Sequence, residues 1–404
     1  MDRKIYEIDI DSFAFGGAGI GRLPDGKVCF VRGTVPGERV EIEVTDDKAS
    51  YAYGRLLSVK KASRNRITPE CPLAISECDH AKSCPGCSYG HVDYRTELQW
   101  KQRQLEGFLL RGDLVERSRI RPPEGAPARY GWRNKIRLAV GENNTLGYHG
   151  SDNVRILDVK DCPLARKSIR EALSEYREKP RDSKVTHVTF RWTLRDGVLV
   201  RPNTEPAGTR FLTEQLGHSG DFLVPENSFF QINVPMAVKL ADAAAVRIEA
   251  GGASNLLELY CGAGVLSLAA AQSLPHLRVR GVELDKLAIQ AARLNAKKRN
   301  LSSRCRYEAG DAEASFWTFA RELPAEKTMV LVDPPRCGLT AGLCRKMLSY
   351  KPRSILYISC APDTLRRDLE ILTNGGYEVC DVKLFDLFPT TAHFETMTVL
   401  RRKR

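Results

Sequence analysis

The feature that most constrains the fold is the regular alternation of strand-like and helix-like segments from residue 236 to residue 404. Apolar runs such as NLLELY and MVLVDPP are short and end in turn residues, and amphipathic stretches such as KLAIQAARLNAKKRN separate them. Strands and helices that alternate in this way form an open, mostly parallel sheet with helices on both faces. Ligands of such sheets bind beyond the carboxyl ends of the strands, so we expect the functional residues there.

A glycine-containing loop follows the first of these strands. Residues 259–264 read LYCGAG, and glycines there allow the backbone to approach a ligand closely. Glu283 ends the next strand, where an acidic side chain can hold ribose hydroxyls. These features fit either a nicotinamide dehydrogenase or an S-adenosylmethionine enzyme. Glu258 before the loop and Asp311 in AGDAE favour the methyltransferase arrangement.

Two further strands end in residues that can do chemistry. Asp333 begins DPPR, in which two prolines after an acid form a rigid turn at the same edge of the sheet. Cys360 follows the strand SILYI. An isolated cysteine is more often a buried core residue, so Cys360 gains meaning only from the motifs around it.

The first 62 residues predict a small β-barrel. Short alternating runs are interrupted by FGGAGIGRLPDG and TVPGE, which are typical of turns. Evenly spaced short strands favour a five-stranded barrel of the OB type, a fold that often binds oligonucleotides. The FGGAGIGR and VPGE stretches resemble the TRAM domain, an OB-like RNA-binding module.

Residues 63–235 predict a mixed α+β domain. The helical pattern YRTELQWKQRQLEGFLL precedes strand-like runs such as NKIRLAV and KVTHVTFRWTL. A cysteine group opens this region, with Cys78, Cys84 and Cys87 close together and Cys162 further along. Thiolates at this spacing can bind zinc or a four-iron cluster.

The overall composition points to an anionic partner in a reducing compartment. The formal net charge is +12, and clustered Lys and Arg favour nucleic acid. The 12 cysteines favour metal binding or catalysis over disulfides in a reducing compartment. The opening residues lack the apolar segment of a signal peptide, and we expect a cytoplasmic protein with no membrane association and no obligatory protein partner.

Taken in order, LYCGAG, GVELD, DPPRCGL, YISCAPDTLRRDL and FPTTAHFETMTVL resemble the RNA (uracil-5-)-methyltransferase family over nearly the whole chain. The resemblance implies a multi-domain α/β protein with an N-terminal TRAM barrel (1–62), a central α+β domain with an iron–sulfur cluster (63–235) and a C-terminal Rossmann-like class I methyltransferase domain (236–404). It also implies that the enzyme makes 5-methyluridine in RNA.

The resemblance assigns roles to individual residues. Cys360 is expected to be the nucleophile that adds to carbon 6 of uracil, and Glu395 the base that removes the proton from carbon 5. His393 is either an assistant or a structural histidine. The expected S-adenosylmethionine contacts are Gln231, Tyr260, Val265, Glu283, Asp311 and Asp333. The expected [4Fe–4S] ligands are Cys78, Cys84, Cys87 and Cys162, with Cys71 as the alternate to Cys78.

Some positions depart from the family pattern, and the substrate is not fixed by the motifs. Val265 stands where the family usually has a polar residue, Glu258 replaces an aspartate, Ala361 replaces an asparagine, and FPTTAHFET differs from the usual wording. The three-part chain and the cluster favour 23S ribosomal RNA as the substrate, with transfer RNA as the alternative. Two further hypotheses are an amino-group methyltransferase that does not need Cys360 and a non-catalytic RNA-binding protein.

Overall fold

The computed structural model describes residues 4–75, 83–205 and 208–403. It contains a closed five-stranded barrel, a five-stranded sheet, a separate hairpin and a seven-stranded sheet. The barrel at the N-terminus and the seven-stranded sheet with helices at the C-terminus agree with the predicted multi-domain α/β fold class. No helix in the described ranges is both long and apolar enough to cross a membrane.

The barrel has the strand order β1-β2-β3-β5-β4. Its interior is filled by alternate residues of the strands, among them Ile8, Ile10, Val31 and Val40, because successive side chains of a strand point to opposite faces. The strands are β1 (Ile5–Phe13), β2 (Gly19–Arg22), β3 (Val28–Val31), β4 (Arg39–Asp47) and β5 (Tyr51–Lys61).

The central region consists of an antiparallel sheet and two helices. The sheet has the order β10-β9-β6-β7-β8, and the next two strands form a hairpin. The elements are α1 (Tyr94–Leu109), β6 (Lys135–Val140), β7 (Leu146–His149), β8 (Ile156–Asp158), α2 (Lys167–Arg177), β9 (His187–Thr193), β10 (Gly197–Pro202), β11 (Phe211–Gln215) and β12 (Asp221–Pro225).

The C-terminal sheet has the order β15-β14-β13-β16-β17-β19-β18, and both of its faces are covered by apolar clusters. Its strands are β13 (Asn255–Leu259), β14 (Arg278–Glu283), β15 (Cys305–Ala309), β16 (Thr328–Val332), β17 (Ser354–Ser359), β18 (Tyr377–Phe385) and β19 (Glu395–Arg402). The helices are α3 (Val234–Ala250), α4 (Val265–Ser273), α5 (Lys286–Lys298), α6 (Phe316–Ala320), α7 (Ala341–Tyr350) and α8 (Pro362–Asn374).

One edge of this sheet is antiparallel. Strands β13 to β17 are parallel, whereas β19 runs antiparallel to both β17 and β18. The physical reason is the connection: β18 and β19 are joined by a short segment with no helix, which can reverse the chain but cannot cross over. Because of this reversal, β19 begins where β17 ends.

Candidate active site

The carboxyl edge of the sheet gathers one predicted site residue from each parallel strand. In sheet order these are Asp311 beyond β15, Glu283 at the end of β14, Tyr260 after β13, Asp333 after β16 and Cys360 after β17. The chain leaves each parallel strand at this edge, so residues distant in sequence become neighbours.

The loop after β13 has the backbone geometry of a ligand cradle. Tyr260, Gly262 and Gly264 have positive φ angles of 64°, 51° and 74°. The Gly262 amide donates to a carboxylate oxygen of Glu283 at 3.1 Å, which ties the loop to the end of β14. A Cβ added at Gly262 would meet no atom within 4 Å, so the loop faces open space. Val265 lies at the start of α4.

Two carboxyl groups beside this loop are held in a neutral or easily neutralised form. Burial raises the pKa of Glu258 to about 8, and the nearby Asp333 and Glu283 add to the effect. Burial also raises the pKa of Asp333 to about 7, with a further contribution from Glu283. One carboxyl oxygen of Glu258 is buried without a hydrogen-bond partner among the described residues.

Cys360 and Glu395 are brought together by the antiparallel pairing of β17 and β19. Ser359 pairs with Thr396, so the residues next to them share the same edge. Burial raises the pKa of Cys360 to about 11, with smaller contributions from Glu395 and Asp333. Glu395 is only 4% exposed, its pKa lies well above the ordinary value because of burial, and its Oε2 has no partner among the described residues.

A cavity of about 330 Å³ is lined by residues that come from the same part of the chain, among them Arg336 of DPPR and His393, two residues before Glu395. Gln231 lines it, and the Oε1 of Gln231 is buried without a hydrogen bond to any described residue. Arg336 and His393 lie on the wall, with Nη2 of Arg336 3.3 Å from Nε2 of His393. Burial and the Arg336 charge lower the pKa of His393 to about 4, so this imidazole is neutral at physiological pH. The cavity has the volume and polar lining of a small-molecule or nucleobase site.

Comparisons with known proteins place the chain in a family. A tRNA (uracil-5-)-methyltransferase family model matches residues 210–403, and a TRAM domain model matches residues 1–57. An uncharacterized RNA methyltransferase of Gloeobacter violaceus is 30% identical over 461 residues, covering 100% of this chain and 97% of that protein. The chain belongs to the RNA (uracil-5-)-methyltransferase family.

Further similarities agree with this membership. An uncharacterized RNA methyltransferase of Halalkalibacterium halodurans is 29% identical over 458 residues, covering 99% of this chain and 97% of that protein. The crystal structure of Pyrococcus abyssi tRNA (uracil-54, C5)-methyltransferase in complex with S-adenosyl-L-homocysteine is similar in fold, with a TM-score of 0.73 at 24% identity. The match covers 99% of this chain and 100% of the Pyrococcus abyssi chain. The predicted family and enzyme class are thereby confirmed.

Arg336 is a residue of the site to which the sequence motifs assigned no role, although it belongs to DPPR. Its positive charge opposes the rise in the pKa of Cys360 and of Glu395 and contributes to the lowered pKa of His393. Its carbonyl accepts a hydrogen bond from Thr364 Oγ1 at 3.1 Å, which fixes the loop against α8. The signal in the sequence is that an arginine follows the acid-Pro-Pro turn at the edge where the reacting groups meet.

The described cysteines of the central region are also close together. Burial raises the pKa of Cys84, and nearby Cys162 and Cys71 add to the effect. Cys71 and Cys87 line one small cavity, and the Cys84 amide donates to the Leu73 carbonyl at 2.6 Å. The preferred first ligand, Cys78, lies outside the described residues, so only the alternate, Cys71, can be placed.

The side chains of these cysteines are of the type that binds an iron–sulfur cluster, but they are not arranged as a metal site. Cys71, Cys84, Cys87 and Cys162 are all free thiols, the donor type that iron–sulfur clusters require. Within residues 4–75, 83–205 and 208–403, no group of three or more His, Cys, Asp or Glu side chains is arranged to hold a metal ion.

Proposed function

We propose that this enzyme methylates carbon 5 of a uridine in RNA and that it does so through a covalent bond between Cys360 and carbon 6 of the uracil ring. The single observation that supports this most is the juxtaposition of a cysteine and an unpartnered buried carboxyl at one sheet edge, through the pairing of β17 with β19. An amino-group methyltransferase would have no use for this pair.

The reaction needs two actions from the chain. Carbon 5 of uracil is a weak nucleophile, and addition of the Cys360 thiolate to carbon 6 pushes electron density onto carbon 5. After methylation, carbon 5 carries both the methyl group and its original proton. Glu395 removes that proton, the carbon 5–carbon 6 double bond re-forms, and the sulfur of Cys360 leaves as thiolate. Because the target base of a folded RNA is stacked, it is flipped into the cavity beside Gln231.

S-adenosylmethionine supplies the methyl group as an electrophilic sulfonium methyl. The residues that would hold it are Gln231, Tyr260, Val265, Glu283, Asp311 and Asp333. The unpartnered amide oxygen of Gln231 and the open space at Gly262 fit a polar ligand at this edge.

The test is methyl transfer from radiolabelled S-adenosylmethionine to unmodified RNA, followed by nucleoside analysis. Wild-type protein should produce labelled 5-methyluridine and Cys360→Ala none, whereas the control Cys380→Ala, altered on β18, should keep wild-type activity. Glu395→Gln should lower turnover by about 10²-fold or more and accumulate an RNA–protein adduct that survives denaturing electrophoresis. Labelled RNA from Cys360→Ala would refute the covalent mechanism.

The substrate is either ribosomal RNA or transfer RNA, and the same assay distinguishes the two. The three-part chain and the cysteine cluster are the two features of the sequence that favour ribosomal RNA. However, the Pyrococcus abyssi enzyme, which is named for transfer RNA, resembles this chain over its full length, so three-part architecture does not favour either RNA. We propose 23S ribosomal RNA as the first substrate to assay and transfer RNA as the alternative, with separate unmodified pools of each.

We further propose that the central cysteines hold a [4Fe–4S] cluster, with Cys84, Cys87 and Cys162 as ligands and Cys71 in place of Cys78 as the fourth. The closeness of Cys71 to the other three supports this exchange. Iron and sulfide content and the absorbance near 400 nm of anaerobically purified protein test it. Cys71→Ser should lose iron and Cys78→Ser should retain it; the opposite result would restore Cys78, and no iron in wild-type protein would refute the cluster.

A further inference from the structure

One face of the central antiparallel sheet is basic while the opposite face is apolar. On β6, Lys135 and Arg137 alternate with buried Ile136 and Leu138. The apolar side chains belong to a core cluster that includes residues of α2, so the basic side chains point away from that core. One face of the sheet therefore packs on the core, and the other face carries basic side chains that are available for binding.

The strand register places one pair of basic residues directly opposite each other on this face. Lys135 pairs with Arg191 of β9, and Arg191 pairs in turn with Leu199 of β10. Arg137 pairs with Thr189, which pairs with Arg201. Like charges directly opposite each other on a sheet are destabilising, so this arrangement does not serve the stability of the sheet.

Acidic partners neutralise only half of this charge. Arg191 contacts Glu214 at 3.1 Å, and Arg201 contacts Glu226 at 2.5 Å. No described carboxylate forms an ion pair with Lys135 or Arg137; the guanidinium of Arg137 lies 2.8 Å from Nε2 of His187 instead. Burial lowers the pKa of Lys135, and the charges of Arg191 and Arg137 lower it further, whereas the Glu226 carboxyl opposes them only in part.

These side chains line a cavity of about 450 Å³ that is separate from the one lined by Gln231 and His393, and Glu205 is a further acidic residue of its lining. Glu226 and Asn227 form one rim, and the segment that they begin leads directly to Gln231 on the wall of the other cavity. Phe229 belongs to this segment, lines the second cavity and is 77% exposed. Arg191 fixes this rim, because its guanidinium donates to the Glu226 carbonyl at 2.7 Å.

We propose that this cavity binds the phosphate backbone of the substrate RNA next to the flipped uridine, with Lys135 and Arg137 as the phosphate ligands. Phe229, on the wall of the second cavity, offers its exposed ring to a flanking base, since aromatic side chains stack on unpaired bases. The inference rests on the proposed RNA substrate and deepens it, because it states where the strand outside the active site lies.

The test compares Lys135→Gln/Arg137→Gln with wild type in RNA binding across a range of salt concentrations. Each phosphate contact to single-stranded RNA contributes about 0.7 to the slope of log affinity against log salt, so the double variant should lose about 1.4 from that slope and bind about tenfold more weakly. In methyl transfer the change should appear in KM rather than kcat. Unchanged affinity and slope would overturn the proposal.

Two further measurements distinguish binding from folding. Removing like charges should leave the melting temperature unchanged or raise it, whereas a structural role for these residues would lower it together with RNA affinity. The control Arg155→Gln/Lys167→Gln removes two exposed charges, one just before β8 and one at the start of α2, and should behave as wild type; an equal loss of affinity there would overturn the assignment to this cavity.

A competition experiment distinguishes binding of RNA phosphate from binding of free inorganic phosphate. At equal ionic strength, inorganic phosphate should displace RNA from wild type more strongly than chloride does, and this difference should vanish in the double variant. Calorimetric binding of inorganic phosphate with unchanged RNA affinity in the variant would assign the cavity to a small anion and overturn the RNA proposal. If wild-type protein methylates RNA and the double variant binds RNA with wild-type affinity, the cavity proposal is refuted while the proposed function stands.

Discussion

At neutral pH the thiol of Cys360 is mostly protonated in the free enzyme, because burial raises its pKa to about 11. The carboxyls of Glu395 and Asp333 raise it further, and Arg336 opposes them. Only a small fraction of the thiol is in the thiolate form that the proposed mechanism uses, and Arg336 is the group that favours this form. Such restraint protects an accessible cysteine from oxidation and alkylation between turnovers.

Replacing Arg336 by glutamine should therefore slow the alkylation of Cys360 by iodoacetamide at pH 8, by about threefold to tenfold. The cause is loss of the positive charge, which leaves a smaller fraction of thiolate at any given pH. The same change should raise the pKa of His393 towards its ordinary value, which NMR titration can follow. The control is Arg345→Gln on α7; equal labelling rates in all three proteins would contradict the prediction.

The buried carboxyl of Glu258 predicts a particular dependence of stability on pH. Its pKa of about 8 in the folded protein exceeds the ordinary 4.5, so the folded chain keeps a proton that the unfolded chain releases between these values. Stability is therefore fully present below pH 4.5 and falls as pH rises towards 8. Glu258→Gln has no carboxyl to ionise and therefore lacks this loss. At pH 8 its free energy of unfolding should exceed that of wild type by a few kcal/mol, since each unit of pKa difference corresponds to about 1.4 kcal/mol.

Thermal melts at pH 5 to 8 check this, with Glu258→Asp as the matched control because it keeps a carboxyl. The melting temperature of wild type and Glu258→Asp should fall more steeply with pH than that of Glu258→Gln. Parallel curves for the three proteins would show that Glu258 does not stay protonated in the fold.

A buried cation, the ammonium group of Lys101, links α1 to the segment before β19. The Lys101 ammonium lies 2.7 Å from Glu97, 2.8 Å from Asp386 and 3.2 Å from the Phe388 carbonyl. Glu97 also accepts from the Thr390 amide at 2.7 Å, and Thr390 has a positive φ of 68°. These bonds hold the chain reversal that delivers Glu395 to Cys360.

Lys101→Met should destabilise the protein by about 3–5 kcal/mol, because it leaves the buried Asp386 without its cation and Glu97 with only the more distant Arg129 at 4.0 Å. Urea unfolding followed by circular dichroism measures the loss. Lys239→Met is the control, since its ion pair with Glu124 is partly exposed and such pairs contribute at most about 1 kcal/mol. Equal losses in the two variants would show that the Lys101 network does not stabilise this junction.

The elements differ in how far the sequence alone could predict them. The barrel and the parallel strands follow from local signals, namely alternation broken by glycine turns and apolar runs separated by helical patterns. The antiparallel return of β19 depends on the absence of a helix in the connection after β18, which is a weaker local signal. The meeting of Glu395 with Cys360 depends on that return, so family resemblance predicted it while spacing could not. The wall of the active-site cavity includes Gly86 and Ser88 from the cysteine loop, and no periodicity reveals such a long-range approach.

At the scale of the whole molecule, the barrel contacts the catalytic domain and presents an aromatic surface beside that contact. Phe15 packs edge-to-face on Phe108 of α1 at 5.6 Å and on Phe394, next to Glu395, at 6.1 Å between ring centroids. Phe15 and the 46% exposed Tyr53 line a cavity of about 510 Å³ with Arg32 and Arg55. Aromatic rings beside guanidinium groups are suited to stacking of unpaired bases.

One RNA can therefore contact the barrel and the active site together, and Tyr53→Ala should weaken binding of a long RNA fragment by about tenfold. That loss corresponds to about 1.4 kcal/mol, within the range for one stacked base. Because Phe15 of the barrel lies against Phe394, next to Glu395, the comparison RNA must be very short, and the substitution should leave the affinity for a trinucleotide centred on the target uridine unchanged. Fluorescence anisotropy with both RNAs measures this, and Ile5→Ala, an exposed residue of the same barrel, is the control. A loss of affinity for both RNAs would indicate a damaged fold, and no loss for either would show that RNA bypasses this surface of the barrel.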